Sequence, residues 1–169
     1  MSDESVWVER EFTGRDFRDE DLSRLRTERV VFDECDFRGV NLAESEHLGS
    51  AFRNCRFERA MLHHSAFRQC SMLGSVFTGA KLRPLTIVEV DFTLAVLAGC
   101  DLRGVDLTGC RLREASLVEA DLRKAVLCGA DLSGARVQGL RLDDADLRGA
   151  KIDVEQALAF AAAHGLSIN

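Results

Sequence analysis

The sequence is short of several residue types that common folds use. Its 169 residues include one proline, one tryptophan and no tyrosine, a composition unlike that of common β-sandwiches and α/β enzymes. No stretch approaches the roughly 18 consecutive apolar residues of a membrane-spanning helix. The N-terminus has neither the basic nor the apolar segment of a secretion signal. We therefore expect a soluble, cytoplasmic protein.

Residue patterns that carry enzyme or metal chemistry are also absent. The sequence has no phosphate-binding Gly-x-x-x-x-Gly-Lys loop, no Gly-x-Ser-x-Gly nucleophile motif, and no His-Glu-x-x-His or Cys-x-x-Cys metal motif. Of the four histidines, His47 lies at a core position of the repeat described below, and His63 and His64 form a pair at a corner. We expect no enzyme activity, no cofactor and no bound metal.

The chain also lacks an excess of positive charge. It has 22 lysines and arginines against 28 aspartates and glutamates, and the first 50 residues hold 14 acids and 7 bases. A protein that binds a nucleic-acid backbone normally carries a clustered basic face. Direct nucleic-acid binding is therefore disfavoured, and a basic protein partner is expected.

What the sequence does contain is a repeat of five residues. Large apolar residues recur at every fifth position from Phe12 to Ile152, and only Thr27 and His47 interrupt the series. The position two residues earlier holds only Ala, Val, Cys, Ser or Leu between Val30 and Ala150, and 12 of 13 glycines share one register. Helices repeat near 3.6 residues and strands at 2, so this period indicates a solenoid that turns a corner after every fifth residue.

A second period of twenty residues sorts the large positions into uniform columns. One column contains only leucine from Leu22 to Leu142, and another begins with Phe17, Phe37 and Phe57. Uniform columns imply that residues twenty apart stack directly, so four five-residue sides close one coil with a square cross-section. Asp or Asn precedes many of the large residues, where its side chain can hydrogen-bond the backbone of the turn.

This register resembles the pentapeptide-repeat family, whose Ala-(Asp/Asn)-Leu-x-x consensus is met at Ala120, Ala130 and Ala145. The resemblance implies an all-β fold, a right-handed quadrilateral β-helix of about seven coils and about 34 Å, over residues 1–152. Stretches such as Gly49-Ser-Ala-Phe-Arg-Asn-Cys are not dictated by the repeat and are similar to the fluoroquinolone-resistance subgroup of this family.

Members of that subgroup act on DNA gyrase, which they engage as mimics of a DNA segment, inhibit or modulate, and protect from fluoroquinolones. The resemblance implies the same partner and function for this chain, with acidic side chains as candidates for the contact. The alternative is a pentapeptide-repeat scaffold that binds another partner, and the salt dependence of binding would distinguish the two. The candidate residues are Asp16, Asp19, Glu34, Asp36, Glu44, Glu46, Asp91, Asp101, Asp106, Asp121, Asp131 and Asp146.

The five-residue period stops before residues 153–169. Asp153 is a candidate N-cap with Gln156 three residues later, and a helix of about 11 residues is predicted to end before Gly165. The resemblance implies a homodimer through this region, although the segment that joins it to the last coil is shorter than in the family. A cap is also needed to protect the open end of a solenoid. The dimer candidates are Val154, Ala157, Leu158, Phe160, Ala161 and Leu166.

Two further predictions concern residues inside the repeat. Five of the six cysteines occupy the small inward position and are predicted to be core residues of a protein in a reducing compartment. Pro84 replaces the usual corner glycine, and we expect it to distort one side of the square.

Overall fold

The computed structural model describes residues 5–163 as a parallel β-solenoid followed by one α-helix. Its strands have only three residues each, because the chain bends after every fifth residue. In chain order the elements are β1 (Val6–Val8), β2 (Glu11–Thr13), β3 (Arg26–Glu28), β4 (Val31–Asp33), β5 (Glu46–Leu48), β6 (Ala51–Arg53), β7 (Ala66–Arg68), β8 (Thr86–Val88) and α1 (Val154–Ala163).

Paired segments are parallel and 20 residues apart. Strands β1, β3, β5, β7 and β8 form a five-stranded sheet, and β2, β4 and β6 form a three-stranded sheet. Trp7 pairs with Thr27, and Phe12 pairs with Phe32. Regular strands occupy about four turns, fewer than the seven coils expected, while isolated bridges keep the same spacing as far as Lys151. The four-sided parallel β-helix predicted from the sequence is confirmed.

Columns of equivalent side chains fill the interior. Phe17, Phe37, Phe57 and Phe77 stack with ring centroids 4.8 to 4.9 Å apart and nearly parallel planes. This distance equals the usual spacing of hydrogen-bonded strands, so each ring meets its equivalent in the next coil. Leu97 and later aliphatic residues continue the column, and all of them are buried as far as Val137.

The cysteines at the small inward position are buried and form no disulfide, as predicted for core residues. Burial raises the pKa of Cys70 and of Cys110 to about 11, and that of Cys100 to about 12. These thiols are therefore protonated near neutral pH, and they pack as small apolar groups.

Thr27 and His47, the two interruptions of the apolar series, form a polar cluster inside the core. The Thr27 hydroxyl lies 2.7 Å from His47 Nδ1 and 2.9 Å from the Ser50 hydroxyl. The Ser45 hydroxyl lies 2.9 Å from His47 Nε2. Burial lowers the pKa of His47 from 6.5 to about 3, so the ring is neutral at pH 7 and its two nitrogens are both hydrogen-bonded.

The backbone φ angles mark the corners of the coil. Between Glu9 and Gly149, every residue at the glycine position of the repeat except Pro84 has a positive φ. The proline ring holds φ near −65°, so Pro84 cannot adopt the left-handed corner conformation. The chain must therefore turn differently after Leu82 than at the other corners.

The contact between the coil of Pro84 and the next coil is incomplete. Strand β8 pairs regularly with β7 of the preceding coil, but in the described chain no bridge joins Lys81 to Asp101 or Thr86 to Asp106. The equivalent bridges exist one coil earlier and one coil later. The expected distortion thus affects two adjacent sides, and only where they face the following coil. We call the contact between residues 81–87 and residues 101–107 the ladder gap.

The predicted short C-terminal helix is present, as α1, and it packs against the last coil. Asp153 and Gln156 form a capping box, in which the Gln156 N–H donates to Asp153 Oδ1 at 2.9 Å and the Asp153 N–H donates to Gln156 Oε1 at 3.0 Å. The Gln156 amide also donates to the Leu132 carbonyl at 2.6 Å and to the Ala135 carbonyl at 2.8 Å. One buried side chain therefore both starts the helix and ties it to the solenoid.

Candidate protein-interaction surfaces

Each coil presents four outward faces. We define face A by residues 21–24, face B by 26–29, face C by 31–34 and face D by 36–39, each with the equivalent residues at intervals of 20. Faces A and C lie on opposite sides of the square, as do faces B and D. Corner residues are counted with the face that precedes them.

The twelve predicted gyrase-contact residues do not lie in one patch. They are Glu44, Asp101 and Asp121 on face A, Glu46, Asp106 and Asp146 on face B, Glu34, Asp91 and Asp131 on face C, and Asp16, Asp19 and Asp36 on face D. Each face therefore carries three of them. A flat partner surface could reach only a subset at one time.

Several of these aspartates are clasped by the arginine two positions later. Asp16 and Arg18 show the arrangement: the Arg18 backbone N–H donates to Asp16 Oδ1 at 2.9 Å, and the guanidinium reaches Asp16 Oδ2 at 2.6 Å. These hydrogen bonds lower the pKa of Asp16 to about 2. The same clasp recurs in the pairs Asp36–Arg38, Asp101–Arg103, Asp121–Arg123 and Asp146–Arg148.

Other candidates pair with arginines of the neighbouring coil. Glu44 lies 3.1 Å from Arg24, and Asp131 lies 3.5 Å from Arg113, in both cases across one coil step. Nine of the twelve candidates are in ion pairs of one kind or the other. Asp19, Glu34 and Asp106 are exposed and make no ion pair within residues 5–163. These three carry uncompensated negative charge on the rod.

Sequence reasoning missed the arginines that neutralise the acidic rows. The Asp-x-Arg spacing is present in the sequence, but the repeat pattern alone indicates only that these aspartates are turn residues and candidate contacts. The four faces also differ in their balance of bases and acids. Between residues 6 and 152, faces B and C each carry four bases and six acids, face D carries five of each, and face A carries seven bases and six acids.

The predicted dimer residues occupy two sides of helix α1. Val154 is 75% exposed and Leu158 is 44% exposed, and Ala157 lies beside them on the solvent side. Phe160 and Ala161 are half-buried, and Phe160 packs against the core. Leu166 lies outside the described residues. The helix thus presents an apolar strip to solvent.

Residues 5–163 contain no group of three His, Cys, Asp or Glu side chains that could hold a metal ion. In the same part of the chain, no helix has the length and apolar character needed to cross a membrane.

Comparisons with known proteins agree with the repeat. A family model described as a pentapeptide repeat region matches residues 60–150, and a second, described as pentapeptide repeats in nine copies, matches residues 32–76. The pentapeptide repeat protein MfpA of Mycobacterium tuberculosis is 72% identical over 91 residues, which is 54% of this chain and 50% of that protein. MfpA of Mycolicibacterium smegmatis is 73% identical over 63 residues, 37% of this chain and 33% of that protein.

The fold also matches a solved structure. A trypsin-treated variant of QnrB1, a plasmid-mediated fluoroquinolone resistance protein, has a TM-score of 0.52 with 18% identity, and the match covers 98% of each chain. The matched segment spans about half the length of the M. tuberculosis relative. The first family model covers more than half of the sequence, and the paired segments of the structure are 20 residues apart, which is four five-residue repeats per coil. The chain therefore belongs to the pentapeptide-repeat family.

Proposed function

We propose that this protein binds DNA gyrase as a mimic of a DNA segment, inhibits or modulates the enzyme, and protects it from fluoroquinolones. The observation that carries the proposal is the 72% identity to MfpA over 91 residues. Identity at that level includes outward and corner positions, where the repeat leaves the residue type free. It supports placing the chain in the fluoroquinolone-resistance subgroup, from which the gyrase function follows by resemblance.

The shape and charge of the solenoid support the same proposal. A narrow rod with net charge −6 can enter a basic DNA-binding channel and gain electrostatic attraction. Duplex DNA of about 34 Å carries roughly 20 phosphate charges, far more than this protein offers. Mimicry must therefore rely on the shape of the rod and on locally uncompensated acids. Among the twelve candidates, Asp19, Glu34 and Asp106 are the three without an ion pair in the described residues.

A gyrase supercoiling assay tests this function. The purified protein is titrated into cognate gyrase, with and without a fluoroquinolone that traps cleaved DNA. We expect inhibition of supercoiling or relief of drug-trapped cleavage. No effect at large excess would contradict the proposal and would favour a scaffold role with another partner.

Two variants test which acids matter. Neutralisation of Asp19, Glu34 and Asp106 together, as Asp19→Asn, Glu34→Gln and Asp106→Asn, should weaken inhibition and reduce its salt dependence. The matched control is Arg56→Gln with Glu58→Gln, which removes an ion pair between residues that are not candidates and leaves the net charge unchanged. Equal inhibition by the triple variant and the wild type would place the contact on other residues.

The exposed strip of helix α1 supports a second part of the proposal, a homodimer formed through the C-terminal region. Covering Val154 and Leu158 would remove two large apolar side chains from water. Leu158→Asp should shift the protein from dimer to monomer in light scattering, whereas Glu155→Gln, an exposed polar change on the same helix, should not. A wild-type protein that is monomeric at high concentration would contradict the dimer.

A further inference from the structure

Face A carries a cluster of cations that the acidic character of the protein does not account for. Between Lys81 and Lys124 this face has five basic residues and only two acidic ones, Asp101 and Asp121, although the whole chain has a net charge of −6. Within the solenoid, faces B and C have the opposite balance, with surplus acids. The charge of the rod is therefore unequal across its width.

Asp101 and Asp121 are shared among four arginines of face A. Asp101 Oδ2 lies 3.2 Å from Arg83 and 2.8 Å from Arg103. Asp121 Oδ2 lies 2.7 Å from Arg123, 3.8 Å from Arg103 and 3.6 Å from Arg141. Each guanidinium has five N–H donors, so the arginines hold more donors than the two carboxylates can accept. Unused donors remain on side chains whose positions are already fixed.

Two lysines add charge to this cluster. Lys81 and Lys124 are in no ion pair among the described residues, and they lie on the same face as the arginines. Asp101 and Asp121 therefore orient the arginines but do not neutralise the face. A set of oriented guanidiniums with spare donors is the arrangement that recognises carboxylate or phosphate groups.

These cations line a groove of about 460 Å³ whose wall includes Arg83, Arg103, Arg123 and Lys124. Its middle is open because Gly104 occupies a corner where a Cβ atom would meet no other atom within 4 Å. The groove also adjoins the ladder gap, since Arg83 and Arg103 lie in the two coils that face each other across it. Asp143 and Asp144 close the end of the groove beyond Lys124.

We propose that this groove on face A binds an extended acidic segment of a partner protein. Arg103 and Arg123 are one coil apart, about 4.8 Å, and Arg83 lies one coil earlier, on the other side of the ladder gap. In an extended chain, side chains on one side recur every 6.6 to 6.8 Å or so, and two or three carboxylates would lie within reach of the three arginines. The inference concerns the basic residues of face A, and its tests change Gly104, Lys124 and Asp144, none of which is a candidate for the proposed gyrase contact.

A peptide fits this groove better than a nucleic acid does. The cationic cluster is confined to one face of a narrow rod, whose neighbouring face B carries surplus acid. An extended peptide can lie along one face, whereas a duplex is wider and would bring its phosphates toward Asp106 on face B. Asp143 and Asp144 limit the length of the acidic segment, because carboxylates that extend past Lys124 would meet like charge.

A fluorescein-labelled peptide of eight alternating Glu and Ser residues tests the proposal. Its binding is measured by fluorescence anisotropy at 50 and 150 mM salt, where the screening lengths are roughly 14 and 8 Å. We expect saturable binding that weakens with salt, and no binding of the matched Lys and Ser peptide. Lys124→Gln should weaken binding about three- to fivefold, since it removes a cation without breaking an ion pair.

The sharpest comparison is between Gly104→Asp and Gly104→Asn. Both side chains tolerate the positive φ of 67° at this corner and have nearly the same size, so they differ mainly in charge. The aspartate should weaken peptide binding about five- to tenfold relative to the asparagine, and Asp144→Asn should strengthen it about two- to threefold. Thermal melts of all variants verify that the solenoid is intact.

Three results would overturn the proposal. The first is no binding of the acidic peptide up to about 1 mM, a dissociation constant that corresponds to a binding free energy of only about 4 kcal/mol. The second is equal peptide affinity of the Asp and Asn variants at Gly104. The third is tighter binding of an equally charged oligothymidylate than of the peptide. The last result would assign the groove to nucleic acid.

Discussion

Lowering the pH from 7 to 5 should destabilise this protein, and His47 determines how much. Its folded-state pKa of about 3 lies below the ordinary value of 6.5, because the buried ring cannot carry charge at low cost. The unfolded chain therefore binds more protons than the folded chain between pH 3 and pH 6.5. Stability is fully present above pH 6.5 and falls as the pH drops through this window.

The magnitude follows from the difference between the two pKa values. Each pH unit inside the window is worth about 1.4 kcal/mol, so the free energy of unfolding should fall by about 2 kcal/mol between pH 7 and pH 5. The clasped aspartates have ordinary pKa values of 3.8 that are lowered by folding, so their contributions are lost mainly below this range. The interval from pH 7 to pH 5 therefore isolates the histidine.

Urea denaturation at the two pH values measures this loss. A triple variant, Thr27→Val, Ser45→Ala and His47→Phe, replaces three of the four cluster residues with apolar ones, leaves Ser50 hydrogen-bonded to the Leu48 carbonyl, and should lose much less stability on acidification. Exposed His64→Asn is the matched control, because it removes a histidine outside the core and should behave as the wild type does. Parallel losses in the wild type and the triple variant would refute the assignment to His47.

Three further predictions concern packing, capping and the ladder gap. Phe57→Ala should lower the free energy of unfolding by about 3 to 5 kcal/mol in urea denaturation, since the ring is fully buried between two stacked rings; a loss below about 1 kcal/mol would contradict the stacked column. Gln156→Ala should lower the free energy of unfolding by about 1 to 3 kcal/mol, because the Ala135 carbonyl loses its side-chain donor and the Leu132 carbonyl keeps only the Ala135 N–H; an unchanged melting temperature would argue against that role. In hydrogen exchange, the amides of Leu82 and Asp106 should exchange faster than that of Leu102, which donates to the next coil at 2.9 Å; equal protection would mean that the gap is closed in solution.

The coil could be predicted from the sequence because each five-residue side has the same environment. Equivalent residues such as Phe37 and Phe57 meet their own type in the adjacent coil, so the packing repeats as visibly as the letters do. Thr27 and His47 interrupt that regularity. Their buried polar groups are satisfied by hydrogen bonds with Ser50 and Ser45, which occupy ordinary small positions of the repeat. Only the folded arrangement places the four side chains together.

The candidate surface was less predictable than the fold. Whether Asp16 is free or clasped depends on the rotamer of Arg18, and whether Glu44 is neutralised depends on a residue one coil away. Pro84 predicts a distortion of one side of the square, whereas the structure lacks bridges on two sides, both toward the following coil, and β8 pairs regularly with the preceding coil. The distortion arises because Pro84 lacks the positive φ of the other corners, and the missing bridges show that contact is lost with the following coil.

The ladder gap has a consequence for cooperativity. The stability of a solenoid is close to a sum of repeat energies and nearest-neighbour coupling energies, so a domain of this kind behaves as a one-dimensional chain of units. At the ladder gap, two of the four sides contribute no bridge to that coupling. Unfolding that begins at either end of the solenoid therefore reaches the weakest coupling between neighbouring coils at the ladder gap. The phenylalanine-filled coils before the gap and the leucine-filled coils after it form separate segments of the cooperative unit.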